Sequence, residues 1–377
     1  MKVIVGLSGG VDSSVAALLL IRQGYEVEAL FMRNWDSAIN NDFLGNPDIK
    51  EDICPQEQDY MDALEVANAL GIKLHRHDFV KEYWDDVFAF FLEELKRGRT
   101  PNPDILCNKY IKFAAFLEVA KTLSADKIAM GHYARVAENG EFRLLRGLDR
   151  NKDQTYFLSR LNQEQLAMTM FPIGSLIKDQ VRKLALEANL KVAKKKDSTG
   201  ICFIGERRFA QFLGNYIAAK PGPIITESGV RIGEHNGLMN YTIGQRKGLG
   251  IGGSNEFGSE PWFVAGKNLE KNELVVVQGF DHPLLYSNRC IVTGVNWIPT
   301  TKFSGTLTIA AKFRYRQPDV PVTIRWIEEN TLEVNYSTAS RAVTPGQECV
   351  LYSGEACLGG GTIDKVYFGD TIRSEVH

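Results

Sequence analysis

Apolar and polar positions change their grammar once along this chain. Over the first 205 positions, short apolar runs alternate with helical periodicities. Residues 2–7, 26–32, 73–79 and 127–130 read as strands. Residues 13–23, 57–70, 83–96, 108–123 and 175–189 read as helices, with Gly24 and Gly71 as C-terminal stops for the first two. Such alternation predicts an α/β fold, a doubly wound parallel sheet with helices on both faces. Further on, Gly, Pro and short alternating runs take over at 264–267, 273–278, 306–315, 320–326, 331–336 and 349–352. These predict an antiparallel sandwich or barrel. Only 208–217 still reads as helix. The expected division is 1–205, a smaller linking domain at 206–282, and a β domain at 283–377.

Composition removes several function classes. The chain has 377 residues, 44% hydrophobic and 24% charged, with a formal net charge of −2. That is a globular composition and excludes a wholly basic nucleic-acid binder, although a local basic face stays compatible with it. No apolar run approaches the ~18 residues of a membrane helix. The start, Met1-Lys2-Val3-Ile4-Val5-Gly6-Leu7, reads as a strand and not as a signal peptide. Six cysteines without a CxxC point to a reducing, cytoplasmic setting and give no metal-ligand spacing.

The charge is uneven. Residues 36–65 hold nine acids against Lys50, and residues 178–208 hold nine bases against four acids. One reading is two solvated surfaces. The other is that the basic stretch faces an anion, with phosphates the commonest partner.

The string Gly6-Leu7-Ser8-Gly9-Gly10-Val11-Asp12-Ser13-Ser14 lies between the first strand and the first helix. Adjacent glycines let backbone N–H groups converge on an anion at a helix N-terminus. Ser8, Ser13 and Ser14 add hydroxyl donors, and Asp12 suits a Mg²⁺ beside phosphates. The string is not a Walker A loop, since no lysine follows the glycines, which suggests that a different phosphate bond is cut. Gly248-Leu249-Gly250-Ile251-Gly252-Gly253 fits GxGxxG formally, but it opens no helix and reads as a loop.

Two thiols have surroundings that could favour a thiolate. Cys107 follows Pro101 and Pro103 and stands before the helix expected from 108, whose dipole would lower its pKa. Cys202 follows Lys194-Lys195-Lys196 on a loop. Cys54 has acidic neighbours. It, Cys290, Cys349 and Cys357 read as small packing residues.

Ser8-Gly9-Gly10-Val11-Asp12-Ser13 resembles the pyrophosphate loop of the PP-loop ATPases. It is followed in order by Asn102-Pro103-Asp104-Ile105-Leu106-Cys107-Asn108, Gly131-His132-Tyr133-Ala134-Arg135, Lys152-Asp153-Gln154-Thr155-Tyr156-Phe157-Leu158, Asp197-Ser198-Thr199-Gly200-Ile201-Cys202-Phe203-Ile204-Gly205 and Gly244-Gln245-Arg246-Lys247-Gly248-Leu249-Gly250. Together, and with Lys312-Phe313-Arg314-Tyr315-Arg316 and Pro345-Gly346-Gln347, they resemble the bacterial tRNA 2-thiouridylase family.

That resemblance implies a Rossmann-like PP-loop domain for adenylation and thiolation, a linking domain, and a C-terminal β-barrel that grips tRNA. It implies that ATP adenylates the C2 oxygen of the wobble uridine, releasing pyrophosphate, and that sulfur then displaces AMP. Cys202 would carry the sulfur as a persulfide. Cys107 would attack either the activated C2 or the persulfide, ending in a Cys107–Cys202 disulfide. Gly6, Leu7, Ser8, Gly9, Gly10, Val11, Asp12, Ser13, Met32 and Gly131 would line the ATP site, with Mg²⁺. Asn102, Pro103 and Asp104 would contact the target base. His132, Lys152, Asp153, Gln154, Arg314, Tyr315 and Gln347 would contact tRNA. The implied partners are tRNA and a sulfur-relay or cysteine desulfurase protein, with a monomeric chain in the cytoplasm and no membrane. The alternatives are a PP-loop ligase adenylating a small carboxylate or ureido group, an ATP-sensing RNA-binding module, and an iron–sulfur route for the sulfur.

Overall fold

The computed structural model describes residues 1–44, 46, 55–197, 204, 207–251 and 258–373, so Cys54 and Cys202 lie outside the described residues. The first strands are β1 (Lys2–Gly6), β2 (Glu26–Arg33), β3 (Leu74–Asp78) and β4 (Lys127–Ala129). A hairpin of β5 (Ala134–Glu138) and β6 (Phe142–Arg146) follows, then the short β7 (Thr169–Met170). Five of these form one parallel sheet in the order β3-β2-β1-β4-β7. β1 is buried on both faces: Ile4 packs to one side, Val3 and Val5 to the other. That is why it reads as a continuous apolar run.

Helices cover both faces, as the alternation predicts. Val11–Arg22, Pro55–Leu70 and Lys178–Glu187 cover one face. On the Ile4 face lie two helical runs. One is Val80–Tyr83, Trp84–Phe88 and Ala89–Lys96; the other is Pro103–Leu106, Cys107–Ala115 and Phe116–Thr122. The middle piece of each has wider, π-type turns, a feature frequent at functional sites. The second run starts ahead of the expected 108. Pro103 occupies the first turn, where no N–H is needed, and Asn102 Oδ1 caps by accepting the Asp104 N–H at 3.1 Å. The helix expected at 208–217 shortens to Phe209–Leu213.

Next come β8 (Gly222–Thr226), β9 (Arg231–His235), β10 (Trp262–Asn268) and β11 (Glu273–Gln278), in a sheet ordered β10-β11-β8-β9. The last strands are β12 (Tyr286–Trp297), β13 (Thr306–Lys312), β14 (Val320–Glu328), β15 (Thr331–Arg341), β16 (Glu348–Ser353), β17 (Ala356–Phe368) and β18 (Thr371–Ile372). Antiparallel pairings run β12-β15-β14-β13-β16-β17 and back to β12. The ring is a closed barrel, which leaves no open sheet edge within it. The sequence pattern missed β17. It also missed the β5–β6 hairpin, which joins the barrel sheet: Leu144 and Leu145 pair with Cys357 and Ala356 of β17. The parallel sheet and the barrel are therefore linked through a shared hairpin.

Candidate active site

The glycine-rich loop leaves β1 at the carboxyl edge of the parallel sheet, where open α/β sheets collect ligands. Leu7 N–H donates to Leu30 O at 3.1 Å, and Ser8 N–H to Ser13 Oγ at 3.2 Å. Helix Val11–Arg22 begins after extended Gly10 without a side-chain cap. Gly131 lies against this turn; a Cβ there would meet Ser13 N at 2.6 Å and the Asp12 carbonyl carbon at 2.8 Å. Only glycine allows the end of β4 to approach the loop this closely. A Cβ on Gly6 would meet Met130 Sδ at 2.6 Å and Met32 Cε at 3.6 Å, so both methionines sit at the same edge.

Asp12 is not solitary. Lys178 Nζ donates to both of its oxygens at 2.8 Å, and the Tyr133 hydroxyl donates to Oδ1 at 2.8 Å. Lys178 also reaches Asp197 at 2.7 Å, and Asp197 binds Lys152 at 2.6 Å and Arg182 at 3.0 Å. Burial alone would raise the Asp197 carboxyl, but Lys152 and Lys178 outweigh it and hold it at about 2. Sequence reasoning singled out Asp12 and Lys152 but missed Tyr133 and Lys178. Neither stands in a glycine-rich signal. Tyr133 does follow Gly131-His132, which the resemblance had marked.

Cys107 opens the wide-turn segment of its helix and is fully buried. Its placement corrects the expectation that it precedes the helix: a full short turn, Pro103–Leu106, comes first. The dipole argument therefore loses force, since the effect fades within the first turn. Cys107 shares one packed cluster with Ile4, Met32, Ile105 and Met130. The thiol thus lies in the helix layer on the Met32 face of the sheet.

The segment leading into Asn102 is pinned by both other parts of the chain. Thr100 N–H donates to Pro345 O at 3.0 Å, and Gln347 Nε2 to Thr100 O at 2.6 Å. Arg99 pairs with Asp364 of β17 and with Glu94. Gly346 has φ +89°, and a Cβ there would meet Thr100 N at 2.8 Å. From the middle sheet, Lys267 Nζ donates to Gly98 O at 2.9 Å and the Thr242 and Thr100 hydroxyls lie 3.3 Å apart. Burial lowers the Lys267 ammonium from 10.5 to about 8.

Several residues expected to touch tRNA have intramolecular partners. Asp153 is buried and accepts from Gly147 N–H and from the Thr155 hydroxyl, each at 3.0 Å, so its carboxylate faces inward, contrary to expectation. Gln154 Oε1 accepts the Tyr133 N–H at 2.9 Å. Arg314 donates to Ile243 O at 2.7 Å and Thr344 Oγ1 at 2.9 Å, tying the barrel to the middle sheet. Tyr315 packs on Phe157, ring centroids 4.4 Å apart. His132 lies between Phe113 and Phe171, and burial followed by the Lys112 charge holds it neutral, well below 6.5.

The two charged stretches answer each other. Lys195 binds Asp59 at 2.8 Å and Asp62 at 2.5 Å, and also Gly9 O at 3.1 Å. Lys191 binds Glu65 at 2.6 Å. Arg207 binds Asp42 at 2.9 Å, both buried, and Trp35 Nε1 donates to the same Asp42 oxygen at 3.0 Å. The Lys191–Glu65 pair is a solvated surface contact, whereas Lys195 is partly buried and Arg207 buried against carboxylates of the acidic stretch. The glycines and serines of the loop have an intramolecular wall of charge beside them. Cys290, Cys349 and Cys357 are buried, and burial pushes the Cys357 thiol up to about 12, as expected of packing residues.

Comparison with known proteins covers 97% of the chain. Residues 1–206 match the tRNA methyl transferase HUP domain, 210–278 the tRNA methyl transferase PRC-barrel domain, and 287–363 the aminomethyltransferase beta-barrel domain. A tRNA-specific 2-thiouridylase MnmA from Acholeplasma laidlawii is 57% identical, covering 97% of each chain. The protein of that name from Mesoplasma florum is 58% identical over 97% of this chain and 99% of its own. That from Bacillus cytotoxicus is 54% identical over 97% and 95%. Among solved structures, an NMN synthetase from Francisella tularensis superposes with a TM-score of 0.31 at 20% identity, covering 52% of this chain and 66% of its own.

Proposed function

The chain belongs to the family of tRNA-specific 2-thiouridylases, and on that premise we propose how its residues divide the work. The enzyme uses ATP to replace the C2 oxygen of a tRNA uridine with sulfur. The supporting observation is geometric. Gly6 and Met32, at the nucleotide-loop edge, and Cys107, in the helix layer above it, belong to one packed region. The segment between that layer and the barrel is pinned at Thr100.

The C2 oxygen of the wobble uridine is amide-like and a poor leaving group. In the first step it attacks the α-phosphate of ATP; an O–P bond forms and pyrophosphate departs. The loop from Gly6 to Ser13, with Met32 and Gly131, holds the nucleotide. Among the described residues no three His, Cys, Asp or Glu side chains converge. Asp12 fits a Mg²⁺ brought with the phosphates, since one carboxylate plus phosphate oxygens is that ion's usual donor set. The ion would neutralise charge on the departing pyrophosphate. Asn102, Pro103 and Asp104 hold the base, which must leave its stack to be reached.

In the second step sulfur bonds to C2 and AMP departs with the former C2 oxygen. Cys202 carries the sulfur as a persulfide delivered by a partner protein. Cys107 thiolate attacks either C2 or the Cys202 sulfur. The two thiolates together give up two electrons, reducing the sulfane sulfur, and end as a Cys107–Cys202 disulfide. An external dithiol resets the pair.

The test is mass spectrometry of tRNA incubated with the enzyme, ATP, Mg²⁺ and a persulfide donor. One O-to-S exchange on the wobble uridine is expected in the wild type and none in Cys202→Ser. Undiminished product from that variant would sink the persulfide role.

A further inference from the structure

We propose that Lys178 is the pyrophosphate-binding cation that the glycine-rich loop itself lacks. The proposal rests on the nucleotide reading above and adds a residue to it.

A carboxylate in the first turn of an anion-binding helix opposes the anion. Asp12 is such a group, and Lys178 covers both of its oxygens at 2.8 Å. Lys178 is held in place on three sides. Its backbone N–H donates to Asp149 at 3.0 Å, and it opens the helix Lys178–Glu187, which packs against Val11–Arg22 through the Val181 and Ala185 cluster. Its side chain is only 11% exposed, and its third donor goes to Asp197.

Lys195 also touches the loop, but its three donors go to Gly9 O, Asp59 and Asp62, and neither carboxylate belongs to the loop. Asp12 differs because nucleotide binding offers it another partner. When a Mg²⁺ on the phosphates engages Asp12, two Lys178 N–H donors lose their acceptor beside the first turn. The β- and γ-phosphate oxygens are the anions arriving there. Lys178 then stays on Asp197 with one donor and turns two toward pyrophosphate. A Walker lysine does the same work from within its loop; here it comes from a helix on the same face of the sheet.

Isothermal titration with inorganic pyrophosphate and, separately, with AMP, each with Mg²⁺, tests this without tRNA or turnover. Lys178→Met should weaken pyrophosphate about tenfold, the loss of a charged hydrogen bond. AMP, which lacks the β- and γ-phosphates, should bind as before, and Lys178→Arg should restore most of the pyrophosphate affinity. Asp197→Asn removes the negative charge that Lys178 keeps as its partner throughout, leaving more of the lysine's charge for the phosphates, so it should tighten pyrophosphate by about threefold. A gain of affinity cannot come from misfolding, so this arm decides if Lys178→Met does not fold. Equal weakening of both ligands in Lys178→Met, or weaker pyrophosphate in Asp197→Asn, would overturn the proposal. A wild type that binds neither ligand would overturn the nucleotide reading and the proposal with it.

Discussion

Two sets of contacts hold the candidate site, and they are chemically unlike. Beside the glycine-rich loop stands a set of contacts between opposite charges: Asp12 with Lys178, Asp197 with Lys152 and Arg182, Asp59 and Asp62 with Lys195. Around Thr100 most are neutral or backbone: Thr100 N–H to Pro345 O, Gln347 to Thr100 O, and the close approach of Gly346. A charged ligand can exchange places with a charged partner, but it has nothing to exchange with a buried backbone bond. Under the proposed function, the loop side is the one that a charged substrate would rearrange. The barrel side is built as a frame that keeps Asn102 and Cys107 where they are.

The largest test of that division is the buried pair at Arg207, a charged contact that should behave as frame. Arg207→Met leaves Asp42 without its cation and should cost about 3–5 kcal/mol, read as a lowered melting midpoint. A change below 1 kcal/mol would mean that Asp42 tolerates its site alone.

Next is Lys267, a charged member of that frame contributed by the middle sheet. Its folded pKa of about 8 lies below the 10.5 of a free lysine. Between those values the unfolded chain holds a proton that the folded chain has released, so stability rises with pH from about 8 to 10. Below pH 8 the cost of the buried charge is constant. Lys267→Met should abolish that rise and stabilise the protein at pH 7 by at most about 3 kcal/mol. Denaturant melts at pH 7 and pH 10 would show it; parallel pH dependence in both proteins would contradict it.

Gln347→Ala removes one neutral hydrogen bond, worth about 1 kcal/mol. If Gln347 is frame, kcat for thiolation falls about fivefold and tRNA affinity is kept. If its main role is to touch RNA, the dissociation constant for tRNA rises instead. Smallest is Glu65→Gln, which breaks an exposed pair with Lys191. It should change stability by less than about 0.5 kcal/mol.

What the sequence disclosed depended on whether the signal was local. The parallel sheet was legible because β1 is apolar throughout and runs straight into the glycine-rich string. The barrel strands were legible where alternation was regular, as in β13 and β14. Pro101 and Pro103 read as the approach to a helix at 108, yet Pro103 is the helix's first residue under an Asn102 cap. The hairpin β5–β6 was missed although Asn139-Gly140 marks its turn, the strongest short hairpin signal. Charge was the least transparent. Composition counted the acids of 36–65 and the bases of 178–208, but partners such as Asp59 and Lys195 are set by the fold. The same limit hid Lys178, which no motif surrounds and which only the packing of two helices brings to Asp12.

The hairpin also sets a timetable. Arg146 of β6 bonds Gly354, 208 positions later in the chain. At ribosomal rates that stretch takes roughly 10–40 s to emerge. Through that interval the nucleotide-loop sheet can form while Leu144 and Leu145 still present an unpaired strand edge. Folding is completed by the arrival of β17, so the last strands made close the first domain begun. A chain truncated before 356 would keep that edge open and be prone to pair with its neighbours.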